Sequence, residues 1–314
     1  MGQIVLNLTK EKIKKLKDYY CDDLRASPPG AIFAAKTKNA TITAYQSGKV
    51  LFQGRSPEVE ANKWGSTTEP SKNRDSKSLK QKKINEHSFA PPSSLFTSSH
   101  IGSDEAGTGD YFGPITVAAA YITKDQIPLL KELGVKDSKH LTDEMIKSIA
   151  IELVRMEIAY SLVVLHNEKY NELQRKGWSQ GKMKTMLHHH AINKLLKKVE
   201  PTKPDGILID QFSQPNVYLN HLKSEKAKLQ DHVFFMTKAE SYSIAVAAGS
   251  IIARASFVKQ MDKLANTAGV PIPKGASQKV DQAAAVLIRK HGRESLEQYA
   301  KVHFANTQKA ESYL

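Results

Sequence analysis

The segment HIGSDEAGTGDYFGPITVAAAYI (residues 100–122) contains two apolar runs that are separated by a glycine-bearing turn. The runs HIGSDEAG and PITVAAAYI have the composition of strands, and the glycines between them suit a tight turn. The acidic pair Asp104-Glu105 stands at the end of the first run. The segment therefore predicts two neighbouring strands that carry carboxylates at one end.

Strand-like and helix-like segments alternate through the rest of the chain. Short apolar runs predict further strands at residues 158–165, 206–210 and 232–237. Longer runs with helical spacing predict helices at residues 145–156, 183–199, 217–229, 241–265 and 278–303. Alternation of this kind is typical of an α/β fold, in which helices cover a central sheet.

The N-terminal part predicts a smaller α+β unit. Residues 11–25 have apolar side chains at helical spacing, and residues 41–45 and 49–53 predict a β-hairpin. Residues 64–97 are rich in Ser, Lys, Asn and Pro and have no periodicity, which predicts a flexible linker. The predicted organisation is a small domain at 1–63, a linker at 64–97 and a larger domain at 98–314.

The net charge of +14 is unevenly distributed. Residues 1–54 contain nine Lys/Arg and four Asp/Glu, whereas residues 98–314 contain 29 and 23. A basic surface attracts polyanions, and nucleic acid is the first candidate. A charge that serves only solubility would give the same balance, so the charge alone favours nucleic acid weakly.

Other features restrict the cellular setting. Cys21 is the single cysteine, so an internal disulfide is excluded, and no Cys/His spacing suits zinc. No apolar run reaches the ~18 residues of a membrane span. The N-terminus has lysines where a signal peptide would have its apolar core. We therefore expect a cytoplasmic protein without a membrane partner.

Carboxylates at predicted strand ends are the strongest candidates for chemistry. Asp104 and Glu105 end one strand, Asp210 ends another, and Glu240 follows a third. Strand ends are where α/β sheets usually bind ligands, and clustered acids repel one another unless cations neutralise them. Oxygen ligands favour Mg²⁺ or Mn²⁺, which suit phosphodiester chemistry. Two objections remain: such acids are often helix caps, and adjacent strand residues point to opposite faces.

An ordered series of motifs resembles the bacterial ribonuclease HII/HIII family, and ribonuclease HIII in particular. The motifs are DEAGTGDYFGP (104–114), DSKHLT (137–142), GILIDQF (206–212), KAESYSIAVAAGSIIARASF (238–257), PKGAS (273–277) and KVHFANT (301–307). The stretch GAIFAAKTKNATITAYQSGKVLFQG (30–54) is similar to that family's N-terminal, TATA-binding-protein-like domain, which helps to bind substrate. The resemblance implies an RNase H-like catalytic domain, with a mixed central sheet flanked by helices, after this small domain.

The resemblance also implies the activity and the residues that carry it. The family's four metal-binding and catalytic acids correspond to Asp104, Glu105, Asp210 and Glu240. The implied reaction is metal-assisted hydrolysis of the RNA strand of RNA/DNA hybrids, which leaves 3′-hydroxyl and 5′-phosphate ends. The implied cofactor is Mg²⁺ or Mn²⁺. We expect a monomer with no obligate protein partner.

Two sequence features favour ribonuclease HIII over ribonuclease HII. The acidic pair is followed by Gly107-Thr108-Gly109, where the HII pattern has Gly-Arg-Gly, and the stretch PIPKGAS lacks the HII tyrosine. The alternatives are HII-type incision at single embedded ribonucleotides and a nucleic-acid-binding protein without catalysis.

Candidate substrate-binding residues lie in two regions. Gly107, Thr108 and Gly109 could let backbone amides approach a ribose 2′-hydroxyl, although a plain hairpin turn has the same sequence. Ser138 and Lys139 could bind phosphate, or DSKHLT could simply start a helix. In the small domain the candidates are Lys36, Lys38, Tyr45 and Lys49, with a solvated lysine face as the alternative.

Three consecutive histidines, His188, His189 and His190, resemble a metal site at first sight. Successive helix positions point about 100° apart, so the three side chains cannot converge on one ion. We interpret them, together with Met183 and Met186, as packing residues.

Overall fold

A computed structural model of the chain describes residues 2–28, 30–65, 88–136, 138 and 141–314. Within these residues the chain forms two five-stranded sheets, each covered by helices. The first sheet lies in the N-terminal part and the second in the larger part. The architecture confirms the predicted fold, an α/β domain preceded by a small α+β unit.

The N-terminal sheet is antiparallel throughout, in the order β1-β5-β4-β3-β2. Its strands are β1 (Gly2–Asn7), β2 (Leu24–Arg25), β3 (Ala31–Lys36), β4 (Ala40–Tyr45) and β5 (Lys49–Gly54), and its helices are α1 (Lys10–Tyr19) and α2 (Pro57–Ala61). Helix α1 covers one face, because Ile13 and Leu16 pack with Phe33, Ile42 and Phe52 in one apolar cluster. The hairpin β4–β5 is the one that the sequence predicted.

The predicted helix at 11–25 is wrong at its C-terminal end. Helix α1 ends at Tyr19, a short 3₁₀ turn follows, and Leu24 pairs with Ala35 in the sheet. Apolar spacing continued past the true end because Tyr20 still packs in the core beside α1. Strand β1 was not predicted.

The opposite face of the N-terminal sheet packs against the larger domain. Tyr45 and Leu51 are buried in the same apolar cluster as Leu129 and Leu133. At the rim of this contact Lys49 Nζ lies 2.9 Å from Glu132 Oε1. The two sheet faces are therefore covered, one by α1 and the other in part by the larger domain.

The larger sheet has the order β10-β9-β6-β7-β8. Its strands are β6 (His100–Ala106), β7 (Ile115–Ile122), β8 (Ala159–Leu165), β9 (Ile207–Asp210) and β10 (Val233–Met236). Strand β9 pairs in parallel with β6 and β10, and β7 pairs antiparallel with β6 and β8. The sheet is thus mixed, and the carboxyl ends of its three parallel strands meet at one edge.

Helices cover both faces of this sheet. They are α3 (Ile127–Glu132), α4 (Asp143–Arg155), α5 (Asn167–Arg175), α6 (Gln180–Val199), α7 (Pro215–Ser224), α8 (Ile244–Ala268), α9 (Gln278–His291), α10 (Leu296–Tyr299) and α11 (Ala305–Glu311). Helix α6 contributes to the apolar cluster on one face, and α8 to the cluster on the other. By length and composition α8 could cross a membrane, but most of it is buried in the core.

The close contact between β6 and α8 depends on Gly102. A Cβ at this position would lie 2.0 Å from the backbone nitrogen of Val246. Helix α8 starts beside this contact, where the Ser243 hydroxyl accepts a hydrogen bond from Val246 N. The glycine therefore brings α8 directly against the strand that carries Asp104 and Glu105.

Three further predictions are corrected. Residues 93–97, which the predicted linker included, form a 3₁₀ helix whose Leu95 is buried; residues 66–87 of that linker lie outside the described residues. The predicted helix at 278–303 stops at His291, because Gly292 (φ 81°) leaves the helical conformation. The predicted helix at 217–229 ends at Ser224, and Lys226 has a positive φ.

Candidate active site

Three of the four predicted acids come together at the carboxyl edge of the larger sheet. Asp104 lies near the end of β6, Asp210 ends β9, and Glu240 lies in a 3₁₀ turn after β10. One oxygen from each lies within 4.8 Å of the other two. The order β10-β9-β6 makes these strands neighbours, so the cluster follows from the topology.

The backbone after β10 turns sharply to bring Glu240 to this edge. Lys238 adopts the left-handed conformation (φ 57°, ψ 37°), which is unfavourable for a residue with a side chain. The Asp210 carboxylate stabilises the turn, since its Oδ1 accepts a hydrogen bond from Ala239 N at 2.8 Å. Asp210 thus holds the segment that carries Glu240.

Burial and mutual repulsion disfavour the charged forms of two of these acids. Burial raises the pKa of Asp104 well above its ordinary value, and the charges of Glu105 and Asp210 raise it further. Burial and the charge of Glu240 raise the pKa of Asp210 to about 7. A cation placed among the three carboxylates would relieve this repulsion.

The Glu105 carboxylate lies on the opposite face of β6 from Asp104, beside the three-acid cluster and outside it, as alternation along a strand requires. Its Oε1 lies 2.9 Å from Lys184 Nζ, and its Oε2 lies 2.9 Å from His188 Nε2. Burial alone would raise the pKa of Glu105, but the hydrogen bond from His188 and the charge of Lys184 outweigh burial and lower it. Glu105 is still close enough for its charge to raise the pKa of Asp104 and of Asp210.

The donor set suits a hard divalent cation. The cluster consists of carboxylate oxygens at or just beyond the ends of three adjacent strands, and it includes no sulfur or imidazole donor. Oxygen ligands of this kind favour Mg²⁺, Ca²⁺ or Mn²⁺ over softer metals. The residues present therefore fit such an ion, with Glu105 as an additional carboxylate beside the group.

The two glycines in the turn after the acidic pair have different surroundings. Gly107 has φ 88°, and a Cβ there would lie 2.3 Å from Pro114 O, so packing and backbone conformation require the glycine. A Cβ on Gly109 would meet no atom within 4 Å. Gln180 Nε2 donates to Thr108 O at 3.0 Å and fixes the turn. Gly109 thus leaves open space beside the turn.

Ser138 is placed near the cluster but is turned inward. It is buried, and its hydroxyl lies 2.9 Å from the hydroxyl of Ser250, which in turn hydrogen bonds to Asp104. This position supports Asp104 through Ser250 and does not present the Ser138 side chain to solvent. Lys139 lies outside the described residues.

The four candidates in the N-terminal sheet separate into two pairs. Lys36 and Lys38 are exposed and line a groove of about 480 Å³ between the sheet and the end of α4. Tyr45 is buried, and Lys49 pairs with Glu132. In this arrangement of the two domains, Lys36 and Lys38 are open to a ligand and Tyr45 is not.

Sequence reasoning missed the side chains that support the acids. His188, interpreted as a packing residue, is fully buried but bonds to Glu105, while His189 pairs with Asn193. Met183 is buried, as predicted. The signal for Lys184 and His188 was their i, i+4 spacing on one face of a helix.

Comparisons with known proteins agree with this geometry. The profile of the family described as Ribonuclease HII matches residues 101–307, and that of a domain of unknown function (DUF3378) matches residues 3–77. A protein named Ribonuclease HIII from Oceanobacillus iheyensis is 60% identical, with all of both chains covered. Ribonuclease HIII from Bacillus mycoides is 53% identical over 98% of this chain and 97% of that one.

Solved structures give the same result. Bst-RNase HIII, crystallised in complex with Mn²⁺, is 43% identical, with a TM-score of 0.67 over 99% of this chain and 98% of that one. The Aquifex aeolicus RNase H3 structure, 22% identical with a TM-score of 0.53 over 96% of this chain and 99% of that one, shows the shared fold.

The mixed sheet and its acidic edge define a ribonuclease H-type nuclease. Within that class the extra N-terminal sheet and the full-length matches are decisive. The chain belongs to the ribonuclease HIII family.

Proposed function

We propose that this chain is an endoribonuclease that hydrolyses the RNA strand of RNA/DNA hybrids and leaves 3′-hydroxyl and 5′-phosphate ends. The observation that carries the proposal is the convergence of Asp104, Asp210 and Glu240 at the carboxyl edge of three adjacent strands. Membership of the ribonuclease HIII family supplies the substrate class.

The cofactor is Mg²⁺ or Mn²⁺, held by Asp104, Asp210 and Glu240 together with Glu105. Support comes from the oxygen-only donor set and from the related Bst-RNase HIII, which was solved with Mn²⁺. A divalent cation bound there would supply Lewis-acid stabilisation of the charge that develops on the phosphodiester oxygens.

Neighbouring groups of the protein hold the acids in place. Asp104 is fixed by Ser250 and by the Glu105 backbone N–H, which donates to its Oδ1 at 2.7 Å. The carboxylates hold the cation, so none of them has to act as a general base. The open space at Gly109 is where the ribose that carries the 2′-hydroxyl would approach, and this contact selects RNA.

The N-terminal domain, residues 1–63, provides a second binding surface for the hybrid. Lys36 and Lys38 are exposed beside a groove that Arg25, Arg55 and Arg155 also line. Positive charge in such a groove favours phosphate backbones. The proposal includes a cytoplasmic monomer that needs no protein partner; the single cysteine is in keeping with the cytoplasmic setting.

The two alternatives are not favoured. A binding protein without catalysis has no need for three acids held within 4.8 Å of one another. Incision at single ribonucleotides is disfavoured by Thr108 and by the PIPKGAS stretch. A continuous hybrid should be cut at several positions and a DNA duplex with one ribonucleotide poorly; one dominant cut 5′ to that ribonucleotide would identify HII-type activity.

The test of the metal site is an endonuclease assay on a continuous hybrid, with Mg²⁺ or Mn²⁺ and then with EDTA. Wild type should cut only with metal, and Asp210→Asn should lose at least a hundredfold in rate, about 2.7 kcal/mol in barrier. Asp231→Asn is the matched control, because Asp231 is an exposed acid outside the cluster. Cleavage that persists in EDTA, or that survives Asp210→Asn, would contradict the proposal.

A further inference from the structure

Helix α6 presents two donors to Glu105 from successive turns. Lys184 and His188 are four residues apart, so they lie on the same face of the helix. Lys184 Nζ is 2.9 Å from one Glu105 oxygen and His188 Nε2 is 2.9 Å from the other. The carboxylate that lies outside the three-acid cluster is therefore bonded at both oxygens.

Three contacts hold the His188 ring in place: the hydrogen bond to Glu105 and contacts with Ser103 and Phe212. It is fully buried, its Nδ1 lies 2.7 Å from Ser103 Oγ, and it stacks on Phe212 with centroids 5.2 Å apart and planes inclined by 24°. Ser103 and Glu105 are two residues apart on β6 and share a face of the sheet. The imidazole bridges them, so it links the Glu105 carboxylate to the Ser103 hydroxyl of the same strand.

We propose that His188 is a positioning residue for Glu105, holding that carboxylate beside the three-acid cluster, where it contributes to the divalent-cation site. The proposal rests on the function proposed above. His188 Nε2–H donates to Oε2, which restricts rotation of the carboxylate while leaving lone pairs on both oxygens for a cation. Ligating carboxylates are commonly oriented by such partners, whose loss typically weakens metal binding by 10–100-fold.

A purely structural role of His188 would also explain its burial, and the two roles differ in what they do to metal affinity. A packing histidine affects the unfolding free energy of the protein and leaves the affinity of the folded protein for cations unchanged. A positioning histidine changes that affinity even in variants that fold normally. The test therefore measures Mn²⁺ binding directly, without substrate.

The experiment is calorimetric titration of the full-length, metal-free protein with Mn²⁺, with thermal unfolding to confirm folding. His188→Ala should bind Mn²⁺ 10–100-fold more weakly. His188→Gln should recover most of the affinity, because an amide nitrogen can donate near the position of Nε2. His190→Ala is the control, since His190 is an exposed residue two positions further along the same helix.

A folded His188→Ala protein whose Mn²⁺ affinity stays within twofold of wild type would overturn the proposal. If His188→Ala does not fold, Ser103→Ala replaces it, since loss of the Nδ1 partner should weaken binding severalfold; an unchanged affinity there would also overturn the proposal. A wild-type protein that binds no Mn²⁺ would contradict the proposed function itself, so the two failures are distinguishable.

Discussion

Asp104 and Glu105 are consecutive residues of β6, yet their carboxylates contact helices on opposite faces of the sheet. Asp104 accepts a hydrogen bond from Ser250 of α8, whereas Glu105 accepts hydrogen bonds from Lys184 and His188 of α6. One acid is thus crowded by other acids and the second is paired with donors. The two should respond in opposite ways when their charge is removed.

We expect Asp104→Asn to stabilise the metal-free protein and Glu105→Gln to destabilise it. The pKa of Asp104 is raised by burial and by neighbouring acids, so its charge opposes folding, by about 1.4 kcal/mol per pKa unit. The pKa of Glu105 is lowered, and glutamine keeps an acceptor for only one of Lys184 and His188, so the other donor loses its partner at a cost of about 1–3 kcal/mol. Denaturant unfolding in EDTA at pH 7 measures both; shifts of the same sign would contradict this account.

The turn after the acidic pair gives a second contrast. Gly109→Ala should unfold at the wild-type temperature, because the new methyl meets no neighbour, but should lower kcat/KM on a hybrid by obstructing the ribose. Gly107→Ala should instead lose about 1–3 kcal/mol of stability from its positive φ, with a clash against Pro114 O in addition. Thermal unfolding and steady-state kinetics separate the two effects. Wild-type kinetics for Gly109→Ala would show that this turn does not contact the sugar.

The exposed lysines of the N-terminal sheet should contribute to hybrid affinity. Lys36→Ala/Lys38→Ala should raise KM more than it lowers kcat, and should reduce the slope of log affinity against log salt by about 1–2. The double variant Lys10→Ala/Lys14→Ala removes the same charge from exposed positions on α1, on the other side of the sheet. Equal effects of the two pairs would mean that net charge alone matters. Point variants are preferable to deletion, which would expose the apolar surface that Tyr45 and Leu51 cover.

The buried ammonium of Lys301 should make stability depend on pH. Its Nζ donates to Asp110 O at 2.7 Å and Gly113 O at 2.6 Å, and burial lowers its pKa to about 7. Between pH 7 and the ordinary lysine value the unfolded chain binds the proton and the folded protein does not, so stability rises with pH in that window. The difference in unfolding free energy between wild type and Lys301→Met should therefore rise from pH 7 to pH 10, with a limiting slope of about 1.4 kcal/mol per unit. A difference that stays flat would show that Lys301 remains charged in the folded protein.

The fold of the larger domain could be predicted because local sequence patterns indicate its strands and helices. The strands at Asp104 and Asp210 are short apolar runs, and helices of the right period lie between them. The convergence of Asp104, Asp210 and Glu240 required a strand order that no local pattern specifies. The support of Glu105 by His188 was missed for the same reason, because it joins residues 83 positions apart. The contacts of Tyr45 with the larger domain could not be predicted either. A strand with one solvent-exposed face and a strand whose second face packs against another domain can show the same alternation of apolar and polar residues.

The most direct test of the central claim is strand-selective cleavage of a continuous RNA/DNA hybrid with each strand labelled in turn. We predict that wild type with Mg²⁺ or Mn²⁺ cuts the labelled RNA at internal positions, that the new RNA 3′ ends can be extended by a polymerase, and that the DNA strand stays intact. Asp104→Asn should bind the same hybrid without cutting it. Cleavage of the DNA strand, RNA ends that cannot be extended, or turnover by Asp104→Asn above about a tenth of the wild-type rate, a barrier change below ~1.4 kcal/mol, would contradict the account.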